Sequence, residues 1–287
     1  MTRASIIARI TRQEDVNFLL TNAMPRRLAT RLVGWLSRIK QPLICSLLLR
    51  LWQVFAEIDF SDAAETRFRS LHDCFTRTLK PGARPIDPDP AILVSPCDGI
   101  VGAHGIVRDG AMLQVKGSTY GLRDLLDDDR HAASLNDARY VTLRLTSGMY
   151  HHFHAPHDCT VAAVSHIHGD VFNVNTATLR RIDRLFCRNE RAVISARLAD
   201  GGERLTLIAV AAILVAGIRL RAIALPPAGA RVTCDVRVRK GCELGWFEHG
   251  STIIVIAPAS FEVCADVEAG TMIRVGRPLL RRRAPHA

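Results

Sequence analysis

Arg231-Val232-Thr233-Cys234-Asp235-Val236-Arg237-Val238 alternates polar and apolar residues with period two. An extended chain sends successive side chains to opposite faces, so this alternation is that of a strand covered on one side only. Working outward, short β-prone runs bounded by turn residues recur. They are Ile92-Leu93-Val94, Gly99-Ile100-Val101, Tyr140 to Leu145 and Thr160 to Val164. Leu205 to Leu220 reads as one long buried strand or two, and Thr252 to Ile256 as a final one. Gly121 to Asp129 reads as a short helix, and the prolines and glycine between residues 70 and 90 read as a loop or linker.

The N-terminal part follows a different period. From Pro25 to Phe60, Leu28, Leu32, Trp35, Leu36 and Ile39 recur at spacings of three and four among Arg27, Arg31, Arg38 and Lys40. Gln41-Pro42 breaks this helix, and a second follows with Leu43, Leu47, Leu48, Leu51, Trp52, Phe55 and Ile58. The pattern fits helices packed on a core and equally helices lying in a membrane interface. The expected fold class is α+β, with N-terminal amphipathic helices packed on a β-rich, mostly antiparallel core.

The 287 residues are 48% hydrophobic and 23% charged, which excludes wholesale disorder. The net charge of +10 lies at the ends: residues 1–50 carry +7, residues 271–287 carry +5, and residues 51–270 sum to −2. A nucleic-acid reader usually carries its basic face on the folded domain, so this distribution argues against nucleic acid as the partner. The eight cysteines form no CxxC pair, against zinc-ribbon and thioredoxin readings. The longest apolar run, Ile208 to Ile218, is too short to span a bilayer.

Six of the eleven histidines fall between His151 and His168, most densely in Tyr150-His151-His152-Phe153-His154-Ala155-Pro156-His157. From the cluster alone three readings stand side by side: a metal site, acid–base catalysis and a solvated loop. No glutamate lies among these residues and no known metal motif matches, so no metal ligand is assigned.

Taken in order, several segments resemble the phosphatidylserine decarboxylase family. They are Phe75-Thr-Arg-Thr-Leu-Lys-Pro-Gly-Ala-Arg-Pro-Ile86, Ser95-Pro-Cys-Asp-Gly99, Lys116-Gly-Ser-Thr-Tyr120, Tyr150 to Pro156, Phe172-Asn-Val-Asn175, Leu185 to Arg191 and Gly241 to Thr252. His249, Cys97, Cys159 and Met149 depart from the family pattern without removing a group its chemistry needs.

The resemblance implies self-cleavage between Gly250 and Ser251. Ser251 would attack the Gly250 carbonyl, with His154 as base and Asp98 holding it, to give a β chain of residues 1–250 and an α chain of residues 251–287. Ser251 would become a covalent pyruvoyl cofactor. That group would form a Schiff base with the amine of phosphatidylserine and take up the electrons released with CO2, leaving phosphatidylethanolamine. His151 would be the proton donor. The alternatives are the same chemistry on another serine-headgroup lipid or amine, and a non-catalytic metal- or lipid-binding protein using the histidines.

A lipid substrate also reinterprets the helices. Arg27, Arg31 and Arg38 would meet anionic headgroups while Trp35 and Leu36 insert shallowly. Residues 1–65 are expected as a docking unit, 66–270 as the catalytic domain and 271–287 as a basic tail. The expected location is peripheral, on the cytoplasmic face of the cell membrane. Homodimer formation is left open.

Overall fold

The computed structural model describes residues 26–56, 58–113, 119–212, 217–248 and 251–284. Two helices open it, α1 (Arg26–Ser37) and α2 (Pro42–Phe55), followed by the short α3 (Leu71–Phe75). α1 stops at Ser37, and Gln41 caps the next helix: its side chain accepts from the Ile44 N–H and Pro42 takes the first turn, where its missing donor costs nothing. α3 lies inside the stretch expected to be loop. Ser70 caps it by accepting from the Asp73 N–H, and Leu71, Cys74 and Phe75 are buried.

Then come β1 (Ile92–Val94), β2 (Gly99–Ile106), β3 (Ala111–Leu113), β4 (Thr119–Gly121), α4 (Leu122–Leu126), α5 (Asp129–Ala133), β5 (Arg139–Leu145), β6 (His152–His154) and β7 (Cys159–Ile167). After α6 (Thr176–Leu179) and α7 (Leu185–Arg188) follow β8 (Arg191–Leu198), β9 (Arg204–Ala211), β10 (Ile218–Leu220), β11 (Arg231–Val238) and β12 (Glu243–Phe247). The chain closes with β13 (Ser251–Ala257), β14 (Phe261–Val263), β15 (Met272–Ile273) and β16 (Pro278–Arg282). The expected α+β class with an antiparallel sheet is what forms.

The main sheet has eight strands in the order β11-β7-β8-β9-β13-β5-β2-β15, every neighbouring pair antiparallel. β11, the alternating run, is an edge strand: Cys234, Val236 and Val238 pack on the core while Thr233, Asp235 and Arg237 face out. β13 is interior, paired to β9 and β5. Its uninterrupted apolar run divides between two cores. Ile253, Val255 and Ala257 join one cluster with Phe153, Phe247 and Leu280; Ile254 and Ile256 join the other with Leu125, Phe186 and Tyr140. An antiparallel strand reads as continuously apolar only when both faces of its sheet are covered, and here they are.

Residues 272–282, expected within a basic tail, are built into the fold. β15 closes one edge of the main sheet, and β16 lies between β1 and β14 in a three-stranded sheet. Arg281 pairs with Asp89, and Arg282 with Asp200 and Glu203. Carboxylates from distant segments meet these arginines, a complementarity that the local composition does not display.

Candidate functional site

Ser251 is the first residue of β13, opposite Leu145 on one side and Ala211 on the other. It is wholly buried, and among the described residues its Oγ has no hydrogen-bond partner. A buried hydroxyl without a partner is costly, so one at the head of a central strand calls for an explanation. Gly250 and His249 lie outside the described residues.

A second, three-stranded sheet, β10-β12-β6, carries the histidines beside it. Glu243 pairs with His154 and Trp246 with His152, and the Phe247 N–H donates to the His151 carbonyl at 3.0 Å. Ser251 lies four positions after Phe247, so at most roughly 14 Å of chain joins this anchor to the serine.

His154 is held at both ring nitrogens. Nδ1 lies 2.9 Å from the Gly241 carbonyl oxygen and Nε2 lies 3.2 Å from the Tyr150 hydroxyl. A carbonyl only accepts, so Nδ1 carries the proton and Nε2 of the neutral ring is left as the basic nitrogen. Burial lowers the His154 pKa and raises that of Tyr150. Gly241 has φ +79°, and a Cβ there would stand 2.6 Å from Ile86, so only glycine presents its carbonyl this way without strain.

Asp98 is brought near but not into contact. The His154 N–H donates to the Pro96 carbonyl at 2.7 Å, which ties the Ser95–Gly99 turn to β6. The Asp98 carboxylate faces elsewhere. It accepts from Arg84 Nε at 2.9 Å and Nη2 at 2.6 Å, and from the Val275 N–H at 2.9 Å. No hydrogen bond among the described residues joins Asp98 to His154 or His154 to Ser251. The tautomer-fixing partner that a triad takes from its carboxylate is here the Gly241 carbonyl. Asp98 ties the turn to Arg84 and, through Val275, to the C-terminal segment.

His151 is wholly buried, edge-on to Phe75 at 5.5 Å, and among the described residues neither ring nitrogen meets a partner in hydrogen-bond geometry. Burial, reinforced by the charges of Arg77 and His152, lowers its pKa to about 3, against a smaller opposing pull from the Met149 carbonyl. His152 is stacked between Tyr150 and Trp246, with Nε2 donating to the Thr76 carbonyl and Nδ1 at 3.3 Å from Glu243. Burial alone would raise the Glu243 pKa, but His152 and Arg221 outweigh it and bring it to about 2. His157 donates to the Pro90 carbonyl and His166 bridges the Pro226 carbonyl and Glu190, both far from a common centre. Among the described residues no three His, Cys, Asp or Glu side chains converge as a metal site.

Sequence reasoning assigned no role to Arg84, Tyr150, Gly241 or Glu243. Arg84 stood within a quoted motif, and the signal for it was the need of a buried aspartate for a counter-charge. Arg77, in the same motif, holds the turn that precedes the histidines by donating to the Gly148 and Met149 carbonyls.

On the helices, Leu28, Leu32 and Trp35 of α1 and Leu43, Leu47 and Leu51 of α2 are exposed, an apolar surface at least half open at each position. Arg31 is exposed and Leu36 half-buried. The Arg27 side chain lies outside the described residues. Arg38 has a second occupation: its Nη2 lies 2.9 Å from Glu248. No helix among the described residues is long and apolar enough to cross a membrane.

Residues 71–281 match the profile of the phosphatidylserine decarboxylase family. The chain is 33% identical to a phosphatidylserine decarboxylase proenzyme of Xanthomonas euvesicatoria, over 92% of this chain and 98% of the relative. It is 31% identical to the proenzymes of that name from Pseudoalteromonas translucida, over 90% and 95%, and Methylococcus capsulatus, over 89% and 93%.

Proposed function

The chain belongs to the phosphatidylserine decarboxylase family, and from that premise we propose that it is a proenzyme that cleaves itself before Ser251 and then decarboxylates phosphatidylserine to phosphatidylethanolamine. The observation that carries the proposal is the buried Ser251 Oγ at the head of β13, without a hydrogen-bond partner among the described residues. A hydroxyl spared from hydrogen bonding is free to attack.

In the first stage Ser251 Oγ adds to the preceding carbonyl and the amide becomes an ester. The His154 Nε2, its tautomer fixed through Gly241, takes the hydroxyl proton. Tyr150 must first release that nitrogen. Loss of the Ser251 α-proton expels the acyl oxygen, and hydrolysis of the resulting enamine leaves a pyruvoyl group and ammonia. Asp98 supports this stage by holding the turn to which His154 is tied, and its negative charge favours the imidazolium that forms.

The pyruvoyl group supplies the electron sink for loss of CO2. The position fits it: a buried residue at the start of a strand paired on both sides has a fixed orientation in a water-poor setting. His151 is the proton donor of this stage. Burial keeps it neutral, and the anionic groups of an entering substrate would raise its pKa toward the protonated form.

The two chains stay together after cleavage. The α chain, residues 251–287, holds interior strand β13 as well as β14, β15 and β16. Burial of Ile253, Ile254, Val255 and Ile256 contributes roughly 1.5–3 kcal/mol per side chain. The helix pair α1–α2 docks peripherally on the cytoplasmic face of the membrane through Leu28, Leu32, Trp35 and the α2 leucines, with Arg31 toward anionic headgroups.

Mass spectrometry of the purified protein tests the proposal. The expected result is a fragment of residues 251–287 with a ketone in place of its amino terminus. A chain that stays whole after expression, purification and incubation overturns it.

A further inference from the structure

Glu248 lies three residues before Ser251 and is buried, with only 10% of its side chain exposed. Two guanidinium groups from distant segments hold it. Arg38, the residue that follows α1, reaches Oε2 at 2.9 Å while its Nη1 donates to the Gly34 carbonyl of that helix. Arg219 of β10 reaches Oε1 at 3.3 Å. The Glu248 N–H donates to the Gly217 carbonyl at 2.9 Å, and a Cβ on Gly217 would collide with the Glu248 carboxylate. The backbone and side chain of Glu248 are thus both seated, in a space that exists because residue 217 is glycine. His72 on α3 lies in the same field: Glu248 raises its pKa while Arg38 and Arg219 lower it, beneath the larger lowering by burial.

Glu248 donates nothing to the chemistry described above. Its place is upstream of the bond proposed to break, and one of its partners, Arg38, directly follows the helix whose side chains form the exposed apolar surface and is tied to it through the Gly34 carbonyl. We propose that Arg38, Glu248 and Arg219 form a clamp that positions the segment entering Ser251 for self-cleavage, with Arg38 as a positioning residue that links the docking helix to processing. The inference rests on the self-cleaving reading of Ser251. Fixing Glu248 on two sides restricts where the following peptide can lie relative to the Ser251 hydroxyl, and misplacing reacting groups by about an ångström can cost up to a hundredfold in rate. After cleavage the same clamp retains the end of the β chain beside the new cofactor.

The test is a time course of cleavage in the full-length chain, synthesised cell-free in neutral detergent without anionic lipid and read by the mass of the 251–287 fragment. Arg38→Met and Glu248→Gln are each expected to cleave at least about tenfold more slowly than wild type, with Arg38→Lys close to wild type. The double variant Arg38→Met/Glu248→Gln separates positioning from stability. The buried carboxylate that Arg38→Met leaves to Arg219 alone is gone in the double variant, so its melting temperature should recover relative to Arg38→Met. A clamp predicts that its cleavage stays slow; cleavage that recovers along with melting temperature overturns the clamp. So does a wild-type rate in both single variants, even if Arg38→Met binds anionic vesicles less well. A wild-type chain that never cleaves overturns the underlying reading of Ser251, and the clamp with it.

Discussion

The head of β13 and the helix pair α1–α2 are both rich in branched or aromatic apolar residues, yet they end in opposite surroundings. Ile253 to Ile256 are wholly buried between two cores, while Leu28, Trp35 and Leu43 are 65%, 64% and 76% exposed. Residue type does not separate the two regions; the number of covered faces does. β13 has a hydrogen-bonded strand on each side and a packed cluster on each face. The helices meet the rest of the fold along one flank, chiefly through α3, and leave the other flank uncovered. Rigidity suits the attack proposed for Ser251 on one particular carbonyl, and an uncovered apolar flank suits the docking on lipid proposed for the helices.

Four experiments break or sharpen that contrast. The largest effect is expected from Ser251→Ala, which should abolish self-cleavage and leave a folded chain of full mass, since only one unpartnered hydroxyl is removed. Cleavage of this variant at the same bond would show that β13 does not supply the nucleophile. Next is Arg84→Met. It leaves Asp98 buried with one backbone donor, and breaking such a pair costs about 3–5 kcal/mol. The melting temperature should fall by roughly 10 °C and cleavage should slow, as checked by thermal denaturation and fragment mass. An unchanged melting temperature would mean that Arg84 and Asp98 are not tied as described.

On the helix side, Leu32→Glu and Trp35→Glu should each weaken binding to anionic liposomes about tenfold, measured by flotation, while cleavage proceeds at the wild-type rate. Equal binding by all three proteins would remove the docking role of α1. The smallest effect per step concerns pH. The unfolded His151 takes a proton below its ordinary value of 6.5, whereas the buried ring does so only near 3. The unfolded state therefore binds more protons across that window, and stability falls as pH falls, by about 1.4 kcal/mol per unit for one such group. His131, held to about 4 by burial, adds to the upper part of the window. In urea titrations His151→Gln should flatten the decline without removing it; an unaltered slope would mean that His151 is solvated.

Much of this was legible in the residues. The alternation of residues 231–238 announced a strand with one covered face, and β11 is such an edge. The break at Gln41-Pro42 fell where α1 gives way to α2. Ser251, His154, Asp98 and His151 were singled out by ordered motifs, and the fold ties the His154 backbone to the turn that carries Asp98. Other features were not legible. The Ser70–Phe75 stretch read as loop because a single capped turn is too short to show a period. Arginines 281 and 282 read as a tail because their acidic partners lie 79 or more residues away.

The sequence by itself determined the periods, and with them which segments are helix or strand and which side chains carry reactive groups, because those properties depend on a residue and its near neighbours. Tertiary structure alone decided the partners: that His154 is fixed by the Gly241 carbonyl, that Asp98 answers to Arg84, and that Arg38 reaches Glu248 across 210 positions of chain. A charge or lone pair removed from water must find its complement wherever the fold brings one within about 3 Å, and no local pattern encodes that distance.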